Sequence, residues 1–336
     1  MASGRPPPNV LLFGTGSVGA VYLYELLAAG CKVTAVCRSN YGQVAEHGFR
    51  LTSVRHGNQQ YRPTQVVQTI YECQDEVFDY ILICSKAFPG SVPSLAELLQ
   101  PALQNRPDTV IVMAQNGIML EDELAQAYPD NVLLSGVVYL PATQTAPGVI
   151  EYPEMLNLLE LGTYPADATA PAQAKAHDFA ELIRRGGGAS EVHDNIQTAR
   201  WTKLVMNATW NPICALSLCT DGEFLLSSEL AFDLVWKNAL EVISLAKALG
   251  VPGVTEDAAR SKLKIAIDRS KNGTGRANSM LQDVRQNRPF EVEAILGNMV
   301  RLAKLHGVDV PRLETLYALL KGRLAAQMIA AAGKTP

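Results

Sequence analysis

The six cysteines (Cys31, Cys37, Cys73, Cys84, Cys214 and Cys219) include no CxxC pair, and no Cys/His cluster has zinc-ligand spacing. No metal is therefore expected. Several of the cysteines sit inside apolar runs, as in VTAVCRS and YILICSK, which reads as buried reduced thiols in a reducing compartment. No window reaches the roughly 20 apolar residues of a membrane-spanning helix, so no membrane partner is expected. The opening MASGRPPPN lacks an apolar core and is not expected to direct secretion. The closing Lys-Thr-Pro is not a peroxisomal tripeptide, and the expected location is the cytoplasm. Basic charge is also scarce. Against 33 Asp and Glu stand 29 Lys and Arg, a net charge of −4 with pI near 5.8. That leaves no positive field to hold a phosphate backbone, which argues against nucleic acid as a partner. Apart from the prolines at 6–8 there is no low-complexity tract, and no internal repeat.

What the chain does have is an ordinary globular composition, with 48% hydrophobic and 18% charged residues over 336 positions. A chain of that length usually divides into two domains. In the first part, short continuous apolar runs alternate with helical patterns: Asn9–Phe13, Lys32–Cys37, Asp79–Cys84, Thr109–Met113 and Asn131–Ser135. Continuous rather than alternating apolar strands signal a parallel sheet covered on both faces. Residues 139–172, rich in Pro, Thr and Ala, are expected to hold edge strands and loops that close this domain. From about Asn195 the pattern is helical throughout, over Asn195–Leu216, Ser227–Leu249, Thr255–Ser270, Glu291–Leu305 and Arg312–Ala331. The Arg185–Gly188 loop reads as a hinge, and the boundary falls near residue 193, giving domains 1–193 and 194–336.

Gly14-Thr15-Gly16-Ser17-Val18-Gly19 matches GxGxxG between a strand and a helix, the context in which that pattern signals a bound dinucleotide. Gly14 allows the tight turn, Gly16 lets the backbone approach a pyrophosphate, and Gly19 lets helix pack on strand. The free N–H groups of the helix start face the phosphates. Sites for NAD usually carry an acid about 20 residues further on. Here the second strand ends Cys37-Arg38-Ser39-Asn40, with no acid before Glu46. A guanidinium binds a 2′-phosphate through charge-assisted bonds, so Arg38 favours NADPH; the alternative is a solvated surface arginine.

A second signal lies in WTKLVMNATWNP. Lys203, Asn207 and Asn211 are spaced i, i+4, i+8 and share one helical face among apolar neighbours. Asparagine is a poor helix-interior residue, so the stripe reads either as a polar line facing a substrate or as the solvent side of a half-buried helix. A lysine in such a setting can serve as a general acid.

Taken together, GTGSVGA at 14–20, SKAF at 85–88, QNGI at 115–118, KLVMNATWNP at 203–212 and NSMLQDV at 278–284 followed by Glu291 resemble the ketopantoate reductase (2-dehydropantoate 2-reductase) family. The resemblance covers both halves and keeps the motif order. It implies an α/β Rossmann domain followed by an all-α domain like the C-terminal domain of 6-phosphogluconate dehydrogenase, with the active site in the cleft between them. The family's catalytic lysine falls on Lys203, its helix asparagines on Asn207 and Asn211, its carboxylate-binding serine on Ser279 and its glutamate on Glu291. Lys86 and Asn116 fall on positions near the cofactor. More ordinary readings stand beside these: Glu291 as a first-turn helix acid, Ser279 as a helix cap, Lys86 and Asn116 as loop residues. The chain departs from the family where it reads Phe290-Glu291-Val292-Glu293, where Arg276 precedes Ser279 by three, and where Asp221-Gly222 replaces Asn-Gly. Arg276 at a substrate edge can bind a carboxylate or fill a small pocket.

The expected activity is NADPH-dependent reduction of a 2-oxo acid, by default ketopantoate to pantoate for pantothenate synthesis. The alternatives are a larger ketone or imine, and a non-catalytic NADPH-binding sensor. The expected partner is a small-molecule substrate, and the exposed faces of the C-terminal helices are compatible with a homodimer.

Overall fold

The computed structural model describes residues 6–332. Two compact units emerge. The first runs through Lys86 and adds Gly90–Gln115 and Leu120–Ile196. The second takes Ala87–Pro89, Asn116–Met119 and the chain from Gln197 onward.

The first unit contains β1 (Asn9–Phe13), α1 (Ser17–Ala28), β2 (Lys32–Val36), α2 (Tyr41–His47), β3 (Phe49–Ser53), β4 (Gly57–Tyr61), β5 (Gln65–Val67), β6 (Tyr80–Ile83), α3 (Leu95–Leu103), β7 (Val110–Met113), α4 (Glu121–Ala127), β8 (Leu133–Tyr139), β9 (Thr143–Ala146), β10 (Val149–Tyr152), β11 (Leu158–Thr163), α5 (Ala170–Arg185) and β12 (Ser190–Val192). The main sheet has the order β12-β11-β8-β7-β6-β1-β2-β5. From β5 to β8 every pairing is parallel, while β11 runs antiparallel to β8. The central strands are apolar because both faces are covered: all four residues of β6 and of β7 are buried. The run β5-β2-β1-β6-β7-β8 is the doubly wound order, whose strand sequence reverses between β1 and β6 and whose ligands bind beyond the carboxyl ends of the strands there.

A second sheet, β4-β3-β10-β9, was not anticipated. Its strands GNQQY and TQTA are polar and partly exposed, so they lack the continuous apolar run that marks the main sheet. Of the strands expected in 139–172, β9 and β10 belong to this small sheet and β11 to the large one. The expected hinge at Arg185–Gly188 is corrected. Gly186 and Gly188 are packed on Glu25 of α1, where an added Cβ would lie 2.0 Å from the Glu25 carbonyl oxygen and 2.5 Å from its Oε2. The chain then enters β12.

From Ile196 every described element is helical: α6 (Ile196–Ser217), α7 (Asp221–Ser227), α8 (Ala231–Ala248), α9 (Glu256–Lys271), α10 (Ser279–Arg285), a π-helical turn (Glu293–Gly297), α11 (Asn298–His306) and α12 (Pro311–Ala332). The helix expected over Ser227–Leu249 is thus preceded by a separate short helix, α7, whose capping box joins Thr220 to Glu223. Pro212 inside α6 has no N–H for the Ala208 carbonyl one turn earlier. Asn238 of α8, fully buried, donates its Nδ2 to that carbonyl at 2.9 Å and so makes the proline tolerable. The start of α12 is capped by buried Glu241, whose carboxylate takes the Arg312 and Leu313 amides and the Arg312 guanidinium. No described helix is long and apolar enough to cross a membrane.

Candidate functional site

In the first unit, the loop after β1 has the backbone that a dinucleotide needs. Gly14 has φ +101°, and an added Cβ would fall 2.2 Å from the Ser85 amide nitrogen beyond β6. At Gly19 an added Cβ would meet the Gly14 carbonyl oxygen at 2.1 Å. At Gly16 it would meet no protein atom within 4 Å. The first and third glycines are therefore required by the protein's own packing, and the second leaves open room over the start of α1. Ser17 and Val18 are half-buried in that first turn. Thr15 departs from a ligand-facing role: it is 5% exposed, and its hydroxyl points inward within 3.2–3.4 Å of Cys37 Sγ, the Val36 carbonyl and Asn40 Oδ1. Only its backbone is left to face a ligand. Arg38 is exposed beyond β2, and its guanidinium has no partner among the described residues. Lys86 is exposed after β6.

In the second unit, Lys203 Nζ donates to Asn116 Oδ1 at 2.8 Å. These two expected site residues are 87 apart in sequence. Lys203 and Asn207 are half-buried, while Asn211 is 3% exposed. The Asn211 Nδ2 is buried with no hydrogen-bond partner, a costly state for an amide donor unless a ligand group completes it. Glu291 is 8% exposed, and its Oε1 accepts the Ala87 amide at 2.9 Å. It therefore lies just ahead of the π-helical turn and is bonded to the segment that follows Lys86.

The loop before α10 carries the remaining candidates. Ser279 is exposed in the first turn of α10, and the cap is Asn278, whose Oδ1 accepts the Leu281 amide and whose Nδ2 donates to the Trp210 carbonyl at 3.0 Å. Arg276 is half-buried. Its amide donates to Asp221 Oδ1 at 2.6 Å and its carbonyl accepts the Asp221 amide at 3.2 Å. Asp221 Oδ2 in turn takes the Arg269 guanidinium at 2.8 Å. Glu293, two residues after Glu291, has a different task. It bonds to Tyr317 and Lys321 of α12 and to Arg301 of α11. Desolvation raises its carboxyl, but the hydrogen bonds from Lys321, Arg301 and Tyr317 outweigh that and hold it below its ordinary value.

Three residues of this region were not singled out from sequence: Arg200, Asn298 and Asp221 as an anchor. Arg200 is 3% exposed and donates to the Gly117 carbonyl at 2.9 Å; Asn298 is 6% exposed and donates to the Ile118 carbonyl at 2.6 Å. Position alone marks Arg200, since it precedes Lys203 by three and shares its helical face.

Residues 10–165 match the family model described as ketopantoate reductase PanE/ApbA, and residues 195–324 match the model of its C-terminal part. The 2-dehydropantoate 2-reductase of Methylococcus capsulatus, a solved structure, is 34% identical, covers 95% of this chain and 97% of its own, and superposes with a TM-score of 0.81. The 2-dehydropantoate 2-reductase of a Nostoc species is 26% identical over 92% of this chain and 93% of its own. A solved D-mandelate dehydrogenase, in a ternary structure with NADH and anilino(oxo)acetate, shares the fold with a TM-score of 0.80 at 21% identity, over 95% of this chain and 99% of its own. With both halves of the chain matched in order, this protein belongs to the ketopantoate reductase family and is an oxidoreductase acting on a CH–OH/C=O group.

Proposed function

We propose that the protein reduces the ketone of a 2-oxo acid with NADPH, and that its substrate is ketopantoate, giving pantoate for pantothenate synthesis in the cytoplasm. The observation that carries this reading is the bond between Lys203 and Asn116, with Lys203 on the same helix as Asn211, whose buried amide nitrogen lacks a partner. A sensor without catalysis has no use for an ammonium held in that setting. The glycine loop fits the cofactor, because Gly16 is open where a pyrophosphate would approach and no acid stands at the end of β2 to repel a 2′-phosphate. In this reading the backbone of Gly14, Thr15, Gly16, Ser17, Val18 and Gly19 holds the pyrophosphate, and Arg38 takes the 2′-phosphate. Lys86 and Asn116 serve the nicotinamide side.

The bound dinucleotide supplies the hydride. Hydride arrival at the carbonyl carbon leaves the electron pair of the C=O bond on oxygen. Lys203 Nζ gives that oxygen its proton and stabilises the growing negative charge before transfer. Asn116 Oδ1 aims the ammonium. Asn207 and Asn211 orient the substrate, with the free Asn211 Nδ2 as a donor to one of its oxygens. Ser279 and Arg276 take the carboxylate, and Glu291 binds a substrate hydroxyl or supports the Lys203 ammonium. A second reading, a bulkier ketone or imine, is favoured by Arg276, whose backbone Asp221 fixes on both sides.

The deciding experiment is NADPH oxidation by the purified protein with ketopantoate beside a panel of other 2-oxo acids and bulkier ketones. Saturable turnover with ketopantoate well above the panel is the expected result. NADPH binding with turnover only on a bulkier ketone would move the assignment to the second reading.

The cofactor preference has its own test. Loss of a charge-assisted interaction of about 1.5–3 kcal/mol corresponds to roughly ten- to a hundred-fold in affinity. Arg38→Ala is expected to weaken NADPH by that factor and to leave NADH nearly unchanged in a fluorescence titration. An equal loss for both cofactors would remove Arg38 from the 2′-phosphate.

A further inference from the structure

We infer that Arg200 and Asn298 are positioning residues that fix the Asn116 turn, and through it the aim of the Lys203 ammonium; the inference rests on the reading of Lys203 as proton donor. The turn Asn116–Met119 has φ +105° at Gly117, a value open to glycine, and +56° at Met119, a left-handed conformation that a non-glycine residue keeps only where its surroundings over-determine it. Here they do. Arg200 donates to the Gly117 carbonyl, Asn298 Nδ2 donates to the Ile118 carbonyl, and the Ile118 amide donates to the Ala294 carbonyl at 3.2 Å. Three successive backbone groups next to Asn116 are thus gripped from α6, from the π-helical turn and from α11. Gly117 cannot be replaced within this grip, since an added Cβ would fall 2.5 Å from the Ala294 carbonyl oxygen.

Asn298 has only one workable orientation. Its Oδ1 accepts Arg301 Nη2 at 2.6 Å, so its Nδ2 must face Ile118. Arg301 is itself held by Glu293 Oε2 at 3.0 Å, and Glu293 by Tyr317 and Lys321. A chain of hydrogen bonds therefore runs from α12 through Glu293, Arg301 and Asn298 to the turn that carries Asn116. The π-helical turn has a purpose in this layout. It sets Glu293 towards α12 while the Ala294 carbonyl meets the Ile118 amide, in keeping with the frequent use of such bulges at functional sites. Arg200 shares a helical face with Lys203 one turn on, so a single stretch of α6 grips both the Gly117 backbone and the Asn116 side chain.

The test is Asn298→Asp, which keeps the acceptor for Arg301 but replaces the donor with an oxygen facing the Ile118 carbonyl. A misplacement of about 1 Å can cost a hundred-fold in rate. The expected result is a fall in kcat of roughly ten- to a hundred-fold, with KM and the NADPH Kd within two-fold of the parent, and an alkaline limb of the kcat profile moved to lower pH because the ammonium loses its acceptor. Glu241→Gln, at the far cap of α12, controls for lost stability and is expected to keep the parental kcat. Trace acetylation read by mass spectrometry, with Lys304 as internal reference, needs no substrate; Lys203 is expected to react at least three-fold faster in Asn298→Asp. Parental kcat and parental Lys203 labelling in Asn298→Asp would overturn the inference, as would an equal kcat loss in Glu241→Gln. Lys203→Ala in the same assay separates the two levels: if it retains turnover, the proton-donor reading itself falls, whereas its inactivity beside a fully active Asn298→Asp removes only the inference.

Discussion

Replacing Lys203 with alanine is expected to lower kcat by about 10²–10⁴-fold, the usual worth of a positioned acid, while NADPH binds as before. The glycine loop lies between β1 and α1, and Lys203 lies on α6 bonded to Asn116, so removal of the ammonium leaves the glycine turn intact. Alanine also suits a helix interior better than lysine or asparagine, which protects the fold of α6 in the variant. Lys203→Arg is expected to rescue little, because a guanidinium stays charged and releases no proton near neutral pH. Stopped-flow hydride transfer beside fluorescence titration of NADPH measures both quantities. Near-normal transfer in Lys203→Ala would leave the Asn116 contact as a structural bond and move the acid elsewhere.

Much of this layout was legible in the sequence, and the reason differs from element to element. The main sheet was visible because β1, β6 and β7 are continuous apolar runs, which only burial on both faces explains. The glycine loop was visible because the roles of Gly14 and Gly19 are steric requirements, which any chain folding that turn must meet. The small sheet was hidden because its strands are polar and partly exposed, so the hydrophobic period carries no signal. The π-helical turn was hidden because its residues read as ordinary helix; its presence depends on bonds from Tyr317, Lys321 and Ile118, all distant in sequence. Arg200 was hidden for a related reason. A lone arginine on an amphipathic helix reads as solvated, and only its burial against the Gly117 carbonyl gives it a task. Asn298 had a faint signal, being an asparagine inside a helix.

The Arg185–Gly188 loop shows how a compositional signal can mislead, and it leads to the largest expected change in stability. Three consecutive glycines suggest freedom, yet this loop is packed against a buried carboxylate. Glu25, fully buried on α1, has Oε1 bonded to His56 Nε2 at 3.0 Å and to Asn157 Nδ2. Its Oε2 lies buried with no partner, facing the space that a Gly188 side chain would take. His56 is turned towards this group by the hairpin between β3 and β4, where Arg55 donates to the Gly187 carbonyl at 2.6 Å. One carboxylate thus ties α1, the hairpin, the segment before β11 and the glycine loop. Glu25→Ala strands the His56 ring nitrogen and the Asn157 amide, and each buried polar group left unsatisfied costs about 1–3 kcal/mol. For a unit of this size the two together give roughly a 10 °C fall in Tm. The pH dependence has a definite sign. Burial raises the Glu25 carboxyl above its ordinary value, against lowering by His56 and Asn157. A raised acid contributes stability below its unfolded pKa, about 4.3, and loses it as pH rises through the folded value. Glu25→Gln, which keeps the shape and cannot ionise, is therefore expected to gain on the parent as pH rises from about 4.3. Urea unfolding of parent, Glu25→Ala and Glu25→Gln at several pH values reads both effects. A parental midpoint for Glu25→Ala would show that the loop holds without the carboxylate, and a pH-independent difference for Glu25→Gln would show that Glu25 ionises in the fold as it does in water.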